Sequence, residues 1–160
     1  MSLIWNPRLP PHPGAAKTSL LSAELHPILA IDHGQARIGL AATDSLGIAA
    51  HPVETIEVAR VDPLERIAEV VREREVKLML LGLPLRLYGS EGDAAQRVRS
   101  FGDNLAEKIP GIPLQYADER LSTTAASEKL RAAGVSARKQ KDLIDQAAAL
   151  EILNDWLAEQ

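Results

Sequence analysis

The run Ile28-Leu29-Ala30-Ile31-Asp32-His33-Gly34-Gln35-Ala36-Arg37-Ile38-Gly39-Leu40-Ala41 decides how the rest of this chain is read. An apolar stretch ends in a carboxylate, a glycine follows two positions later, and a second apolar stretch begins after Arg37. Burying the first stretch as a strand carries Asp32 to the rim of a sheet, where its charge stays hydrated. Acids at such a rim hold a divalent cation or orient a phosphate. Asp and Gly are also favoured in any hairpin connection, so this segment alone leaves a simple turn open.

Working outward, residues 28–31, 38–43 and 53–58 read as three consecutive strands, with Asp44-Ser45-Leu46-Gly47 as a turn. Leu64, Ile67, Ala68, Val70 and Val71 form a helical stripe that predicts a helix over residues 63–75, and Pro63 suits its first turn. Leu78-Met79-Leu80-Leu81 is the continuous apolar run expected of a central strand covered on both faces, stopping at Gly82-Leu83-Pro84. Ser90-Glu91-Gly92-Asp93 is a capping-box pattern and predicts a helix to about residue 108. A strand over residues 112–116 ends at Asp118-Glu119-Arg120. Helices over residues 123–133, closed by Gly134, and 138–157 follow. The order is βββαβαβαα, an α/β arrangement with a mixed five-stranded sheet flanked by helices.

Residues 1–27 carry Pro7, Pro10, Pro11, Pro13 and Gly14 without sustained periodicity and are expected to form a flexible N-terminal extension. Residues 28–160 are expected to be one domain, which suits a 160-residue chain. Hydrophobic residues make up 46% and aromatics only 3%, so the core should be built from Ala, Leu, Ile and Val. No apolar stretch approaches the roughly 18 residues that span a bilayer, and the N-terminus lacks the order of a signal peptide. With no cysteine, disulfides and thiolate metal sites are excluded, and a reducing cytoplasm is the expected setting, with no membrane partner. The net charge of −4 argues against a large non-specific phosphate footprint. It does not argue against a nuclease, because metal-binding carboxylates lower the total. Lys129, Arg131, Arg138, Lys139 and Lys141 form a local basic cluster, opposed nearby by Glu128 and Asp142.

Three acidic positions interrupt apolar patterns: Asp32, the pair Asp118 and Glu119, and Asp145 within Leu143-Ile144-Asp145-Gln146-Ala147-Ala148-Ala149-Leu150. At about 100° per residue, Ala148, Ala149, Ile152 and Trp156 share a side with Asp145, and Arg138 and Lys141 extend that side toward the N-terminus. A stripe apolar at one end and ionic at the other suggests a helix leaving the core beside a charged cleft. There Asp145 needs a cation, a basic partner or water, an ion pair with Arg138, Lys141 or Arg120 being the plainer alternative. Carboxylates gathered from two strand ends and a helix repel one another, and Mg²⁺ or Mn²⁺ relieves that repulsion. Arg37 suits phosphate or carboxylate, or plain solvation. Arg120 suits either bracing of the acids or phosphate contact. His33 reads as a ligand or proton donor, or as part of an exposed turn.

Several blocks together resemble the YqgF-type family of Holliday-junction resolvases, also described as pre-16S rRNA nucleases. They are Ala30-Ile31-Asp32-His33-Gly34 with Arg37-Ile38-Gly39, Leu81-Gly82-Leu83-Pro84-Leu85, Gly89-Ser90-Glu91-Gly92, Asp118-Glu119-Arg120-Leu121-Ser122-Thr123 and Ile144-Asp145-Gln146-Ala147-Ala148. The resemblance runs from about residue 28 to 157 in the right order. It implies a ribonuclease H-like fold, a bacterial cytoplasmic setting, Mg²⁺ or Mn²⁺, and a structured nucleic-acid substrate, with pre-ribosomal particles among the implied partners. By motif, Asp32, Glu119 (with Asp118 beside it) and Asp145 match the family's metal-binding acids. Ala36 departs from the pattern, standing where a basic residue often precedes the Arg-Ile-Gly run. The strand ending at Gly82 offers no acid, so Asp118 or Glu119 must complete the site.

The expected function is a metal-dependent endonuclease acting on phosphodiester bonds of ribosomal RNA precursors or branched DNA. Asp32, Glu119 and Asp145 would hold metal and Asp118 would assist. Arg37, Arg120, Arg138, Lys139 and Lys141 would position phosphates. The alternative is a non-catalytic ribosome-assembly or RNA-binding factor on the same fold. An actin-like ATPase fragment, suggested by Asp-x-Gly, is disfavoured because the chain is too short for two lobes and shows no second phosphate loop. A monomer and a homodimer both stay open.

Overall fold

Continuous apolar runs build β1 (Ile28–His33) and β2 (Arg37–Thr43), which form an antiparallel meander with the more exposed β3 (Ala50–Glu57). These come from a computed structural model of the chain, which describes residues 24–85, 91–119, 134 and 136–160. The β2–β3 turn is fixed by Asp44, whose carboxylate accepts the N–H groups of Leu46, Ile48 and Ala49. Helix α1 (Pro63–Arg74) begins at Asp62, which accepts the Leu64 N–H, with Pro63 in the first turn. It ends at Glu75 in the left-handed region, at a φ of 54°. β4 (Leu78–Pro84) then pairs parallel with β1. After α2 (Asp93–Lys108), β5 (Leu114–Glu119) pairs parallel with β4. The sheet order is β3-β2-β1-β4-β5, the mixed five-stranded α/β sheet that the sequence predicts. Helix α3 (Ala137–Ala158) starts at Ser136, whose hydroxyl accepts the Lys139 N–H. The helix expected over residues 123–133 lies outside the described residues, as do Arg120, Lys129, Arg131 and residues 1–23. So does the side chain of Arg138.

Side chains that alternate along each strand divide into two cores. Leu29, Ile31, Ile38, Leu40, Met79 and Leu81 meet α1 and α2 through residues such as Ile67, Val70, Val98 and Leu105. On the other face Ile28, Ala30, Ala41, Leu80 and Ala117 meet Ala149, Ile152, Leu153 and Trp156 of α3.

Three local expectations are corrected. The strands outrun their apolar stretches, because the backbone ladder continues wherever a neighbouring strand is equally long. Asp32 pairs with Gly39, Leu83 with Asp118 and Pro84 with Glu119, so these acids lie within strands and not beyond them. The capping box is not used: the α2 N-cap is Gly92, which has no side chain to accept a bond, and Glu91 pairs with Arg99 instead. His26 and Pro27, assigned to the extension from sequence, are buried. His26 Nδ1 lies 2.7 Å from Thr43 Oγ1, and the Pro27 carbonyl accepts the Lys77 N–H. Among the described residues, no helix is long and apolar enough to cross a membrane.

Candidate functional site

The alternation that builds the two cores also sorts the polar residues at the strand ends. Ile28 and Ala30 face α3, so Asp32 does too. Ala117 faces α3, so Glu119 follows it, whereas Asp118 is turned to the opposite side of the sheet. Of the two neighbouring acids, Glu119 is therefore the one brought to Asp32, and Asp118 does not join them. His33 likewise faces away from Asp32. It is not in an exposed turn but half-buried against Phe101, with ring centroids 4.5 Å apart, and it still feels the charge of Asp32. Burial lowers its pKa from the ordinary histidine value.

Asp32 and Glu119 share a hydrogen bond between their carboxyl groups. Burial first, then this bond and the negative charge of Asp32, push the Glu119 pKa up to about 9. The pair therefore favours holding one proton between its two carboxyls, which resist ionising together at close range. Gly82 makes room for this pair. A Cβ there would stand 2.8 Å from Glu119 Oε2 and 2.5 Å from Ile152 Cδ1.

Asp145 arrives from α3, and the closeness of that helix to the sheet depends on Gly39. A Cβ at Gly39 would lie 1.9 Å from the Asp145 carbonyl oxygen, so a larger residue would hold the helix off β2. Thr55, paired with Gly39 across the β2–β3 ladder, clamps the same turn. Its hydroxyl donates to the Asp142 carbonyl at 2.6 Å and accepts from Gln146 Nε2 at 3.2 Å. Asp145 itself is half-buried, and Arg37 Nε donates to its Oδ2 at 2.8 Å. Burial raises the Asp145 pKa, Arg37 opposes that rise, and the charges of Asp32 and Asp142 add to it. The ion-pair partner of Asp145 is thus Arg37, and not Lys141, which is exposed one turn earlier on α3 beside exposed Lys139.

The structure therefore joins Asp32 to Glu119 directly, sets Asp145 within electrostatic reach of Asp32, and ties Asp145 to Arg37. Among the described residues, no three His, Asp or Glu side chains converge closely enough to cage a metal ion. Nothing in the local pattern marks Thr55, Gln146 or Glu151 as part of the site. A threonine in a strand is unremarkable, and Glu151, whose charge also raises the Glu119 pKa, lies off the Asp145 stripe of α3.

Comparison with known proteins identifies the family and the fold. The family described as "RuvX: Holliday junction resolvase" matches residues 26–159. A protein of Cutibacterium acnes named "Putative pre-16S rRNA nuclease" is 50% identical over 129 residues, covering 81% of this chain and 80% of its own. Proteins of the same name from Streptomyces avermitilis and Nocardia farcinica are 46% and 45% identical, covering 81% and 82% of this chain and 83% and 77% of theirs. The solved structure "T. thermophilus RuvC in complex with Holliday junction substrate" superposes with a TM-score of 0.52 at 15% identity. It covers 82% of this chain and 94% of that one, a likeness of fold. The mixed sheet is thus RuvC-like, the ribonuclease H-like architecture expected from the sequence.

Proposed function

Because the chain belongs to the RuvX family, we propose that it is a metal-dependent endonuclease that hydrolyses phosphodiester bonds in structured nucleic acid. Ribosomal RNA precursors are the first candidate substrate, after the names of its relatives, and four-way DNA junctions the second. The observation that carries this reading is the pairing of the Asp32 and Glu119 carboxyl groups on the face that receives Asp145. Two half-buried carboxyls held together gain most from a partner of high positive charge.

The donor chemistry fits a hard divalent cation, Mg²⁺ or Mn²⁺, held by carboxylate oxygens of Asp32 and Glu119, with Asp145 as the third donor. When bound, such an ion neutralises phosphate charge and lowers the pKa of water. The chain's own part is positional. Asp32 and Glu119 are fixed by paired strands and Asp145 by the Gly39 and Thr55 contacts. To act as a ligand, Glu119 would release to solvent any proton it shares with Asp32. Lys139 and Lys141, exposed on the first turns of α3, attract phosphates, and Arg120 and Arg138 are assigned the same task. The proposed setting is the cytoplasm, on free precursor RNA or pre-ribosomal particles.

The test is cleavage of labelled pre-16S RNA and a four-way DNA junction with Mn²⁺, using wild type and Asp32→Asn. Cleavage should fall on the order of 10³-fold or more in the variant, with its circular dichroism unchanged; a fully active variant ends the reading. One observation favours a second function, a non-catalytic RNA-binding assembly factor: Asp145 is engaged by Arg37, leaving two acids rather than three in direct association. RNA binding that survives EDTA, with no cleavage of either substrate under Mn²⁺, would select it.

A further inference from the structure

The bond between Arg37 and Asp145 stands outside the chemistry just proposed, and it opposes it. A carboxylate that faces a guanidinium at 2.8 Å cannot also serve a divalent cation at full strength, since the two positive charges repel at that range. Asp145 nevertheless needs some cation, because it sits half-buried near the negative charge of Asp32.

The two partners are not equally fixed. Asp145 belongs to a helix turn pressed against Gly39 and tied by Thr55 to the Asp142 carbonyl. Arg37 is the first residue of β2, next to the exposed residues Gln35 and Ala36, and carries a long side chain that is 32% exposed. Its bond is also of a particular kind. Elsewhere in the same molecule Arg66 grips Glu54 through two nitrogens, Nε at 3.0 Å and Nη2 at 2.7 Å, and Glu69 through Nη1. That is a forked bridge at similar exposure. Among the described residues, Arg37 meets Asp145 through Nε, a single-point contact that holds the guanidinium less firmly than a fork does. The same planar group, once released, is suited to the paired oxygens of a phosphate.

We propose that Arg37 is an exchangeable counterion: it neutralises Asp145 in the metal-free protein and passes to a substrate phosphate when a divalent cation takes its place. Asp145 thereby links the two binding events. A cation that displaces Arg37 prepares a phosphate contact, and a phosphate that draws Arg37 away frees a metal-binding oxygen, so each favours the other by the same factor. The consequence is a site that resists loading with metal until nucleic acid is present. The proposal rests on the nuclease reading above, and adds to it an order of events.

The experiment is equilibrium binding of Mn²⁺ alone, followed by the electron paramagnetic resonance of the free ion. It uses the full chain as wild type, Arg37→Gln and Asp32→Asn, and is repeated with added inorganic phosphate. Arg37→Gln should bind Mn²⁺ on the order of five- to tenfold more tightly than wild type without phosphate. Phosphate should tighten Mn²⁺ binding in wild type and lose most of that effect in the variant. Mn²⁺ affinity that is equal or weaker in a folded Arg37→Gln protein overturns the proposal. Should that variant fail to fold, the Arg37 Nε–H resonance of wild type decides instead: it should shift on adding Mg²⁺, and an unmoved signal overturns the exchange. Mn²⁺ binding lost in Asp32→Asn but unchanged in Arg37→Gln ends this proposal and keeps the nuclease site. Binding that ignores Asp32→Asn ends the nuclease site itself.

Discussion

The two faces of the sheet are built from the same strands and solve different problems. The face under α1 and α2 is lined by large aliphatic side chains, among them Leu29, Ile31, Leu40, Met79 and Leu81. The face under α3 is smaller and richer in alanine, with Ala30, Ala41 and Ala117 on the strands and Ala149 on the helix. Bulk on the first face supplies most of the apolar burial that holds the fold. Small residues on the second let α3 lie close to β2, and that approach brings a helical carboxylate within electrostatic reach of Asp32. Stability and chemistry are thus assigned to alternate residues of each strand: Ile31 faces one way and Asp32 the other.

The sharpest way to break this division is to add one methyl group to each face. Gly39→Ala would place a Cβ 1.9 Å from the Asp145 carbonyl oxygen, a backbone atom that cannot rotate away, so α3 must move. We expect a loss of about 1–3 kcal/mol in stability and about 10²-fold in cleavage, since Asp145 is displaced with the helix. Gly102→Ala on the α2 side also creates a close contact, 2.1 Å from Tyr116 Oη, but there the tip of a side chain can turn aside. That variant should lower the melting temperature and leave cleavage intact. Equal loss of cleavage in both, measured well below their melting temperatures, would show that the faces are not functionally distinct.

Much of this was legible in the chain itself, for a physical reason. Asp32, Glu119 and Asp145 each interrupt an apolar pattern, and a charge in such a place must be explained by something other than packing. Among the described residues, strand and helix order followed from periodicity with Pro, Gly and capping signals. What periodicity could not reveal was pairing across the sequence. Arg37 and Asp145 lie 108 residues apart, and Thr55 and Gln146 lie 91 apart, and neither contact leaves a mark on local pattern. Strand ends were misplaced because hydropathy stops where the backbone ladder does not, as at Asp32 opposite Gly39. The choice between Asp118 and Glu119 needed the register of β5, which no run of residues displays.

A second prediction concerns the tension stored on the α3 face. The Glu119 pKa in the folded protein, about 9, lies above its ordinary value of 4.5. A carboxyl raised in this way contributes stability that is fully present below the unfolded value and is lost as pH rises through the folded one. The metal-free protein should therefore melt at progressively lower temperature between about pH 5 and pH 9. Glu119→Gln, which mimics the protonated form, should flatten most of that slope and melt above wild type at pH 8. Asp145, also raised by burial, leaves a residual slope of the same sign. The same variant should lose cleavage, because a neutral amide replaces the carboxylate proposed as a ligand; gain in stability with loss of activity would mark a residue kept for function. A slope as steep in the variant as in wild type would refute the shared proton.

The smallest effect should come from Thr55→Val, which keeps shape and removes one hydroxyl. Two bonds go with it, to the Asp142 carbonyl and from Gln146, and the net loss should be about 1 kcal/mol. The helix itself stays seated through Ile152, Leu153 and Trp156 and the close approach at Gly39, so Asp145 should loosen rather than depart. Cleavage should fall several-fold in kcat with little change in KM, because the hydroxyl touches no substrate and acts only by aiming the carboxylate. Thr55→Ser, which restores the hydroxyl but not the methyl, separates the two roles. Recovery of kcat without recovery of melting temperature assigns Thr55 to positioning; recovery of neither leaves it a packing residue of β3.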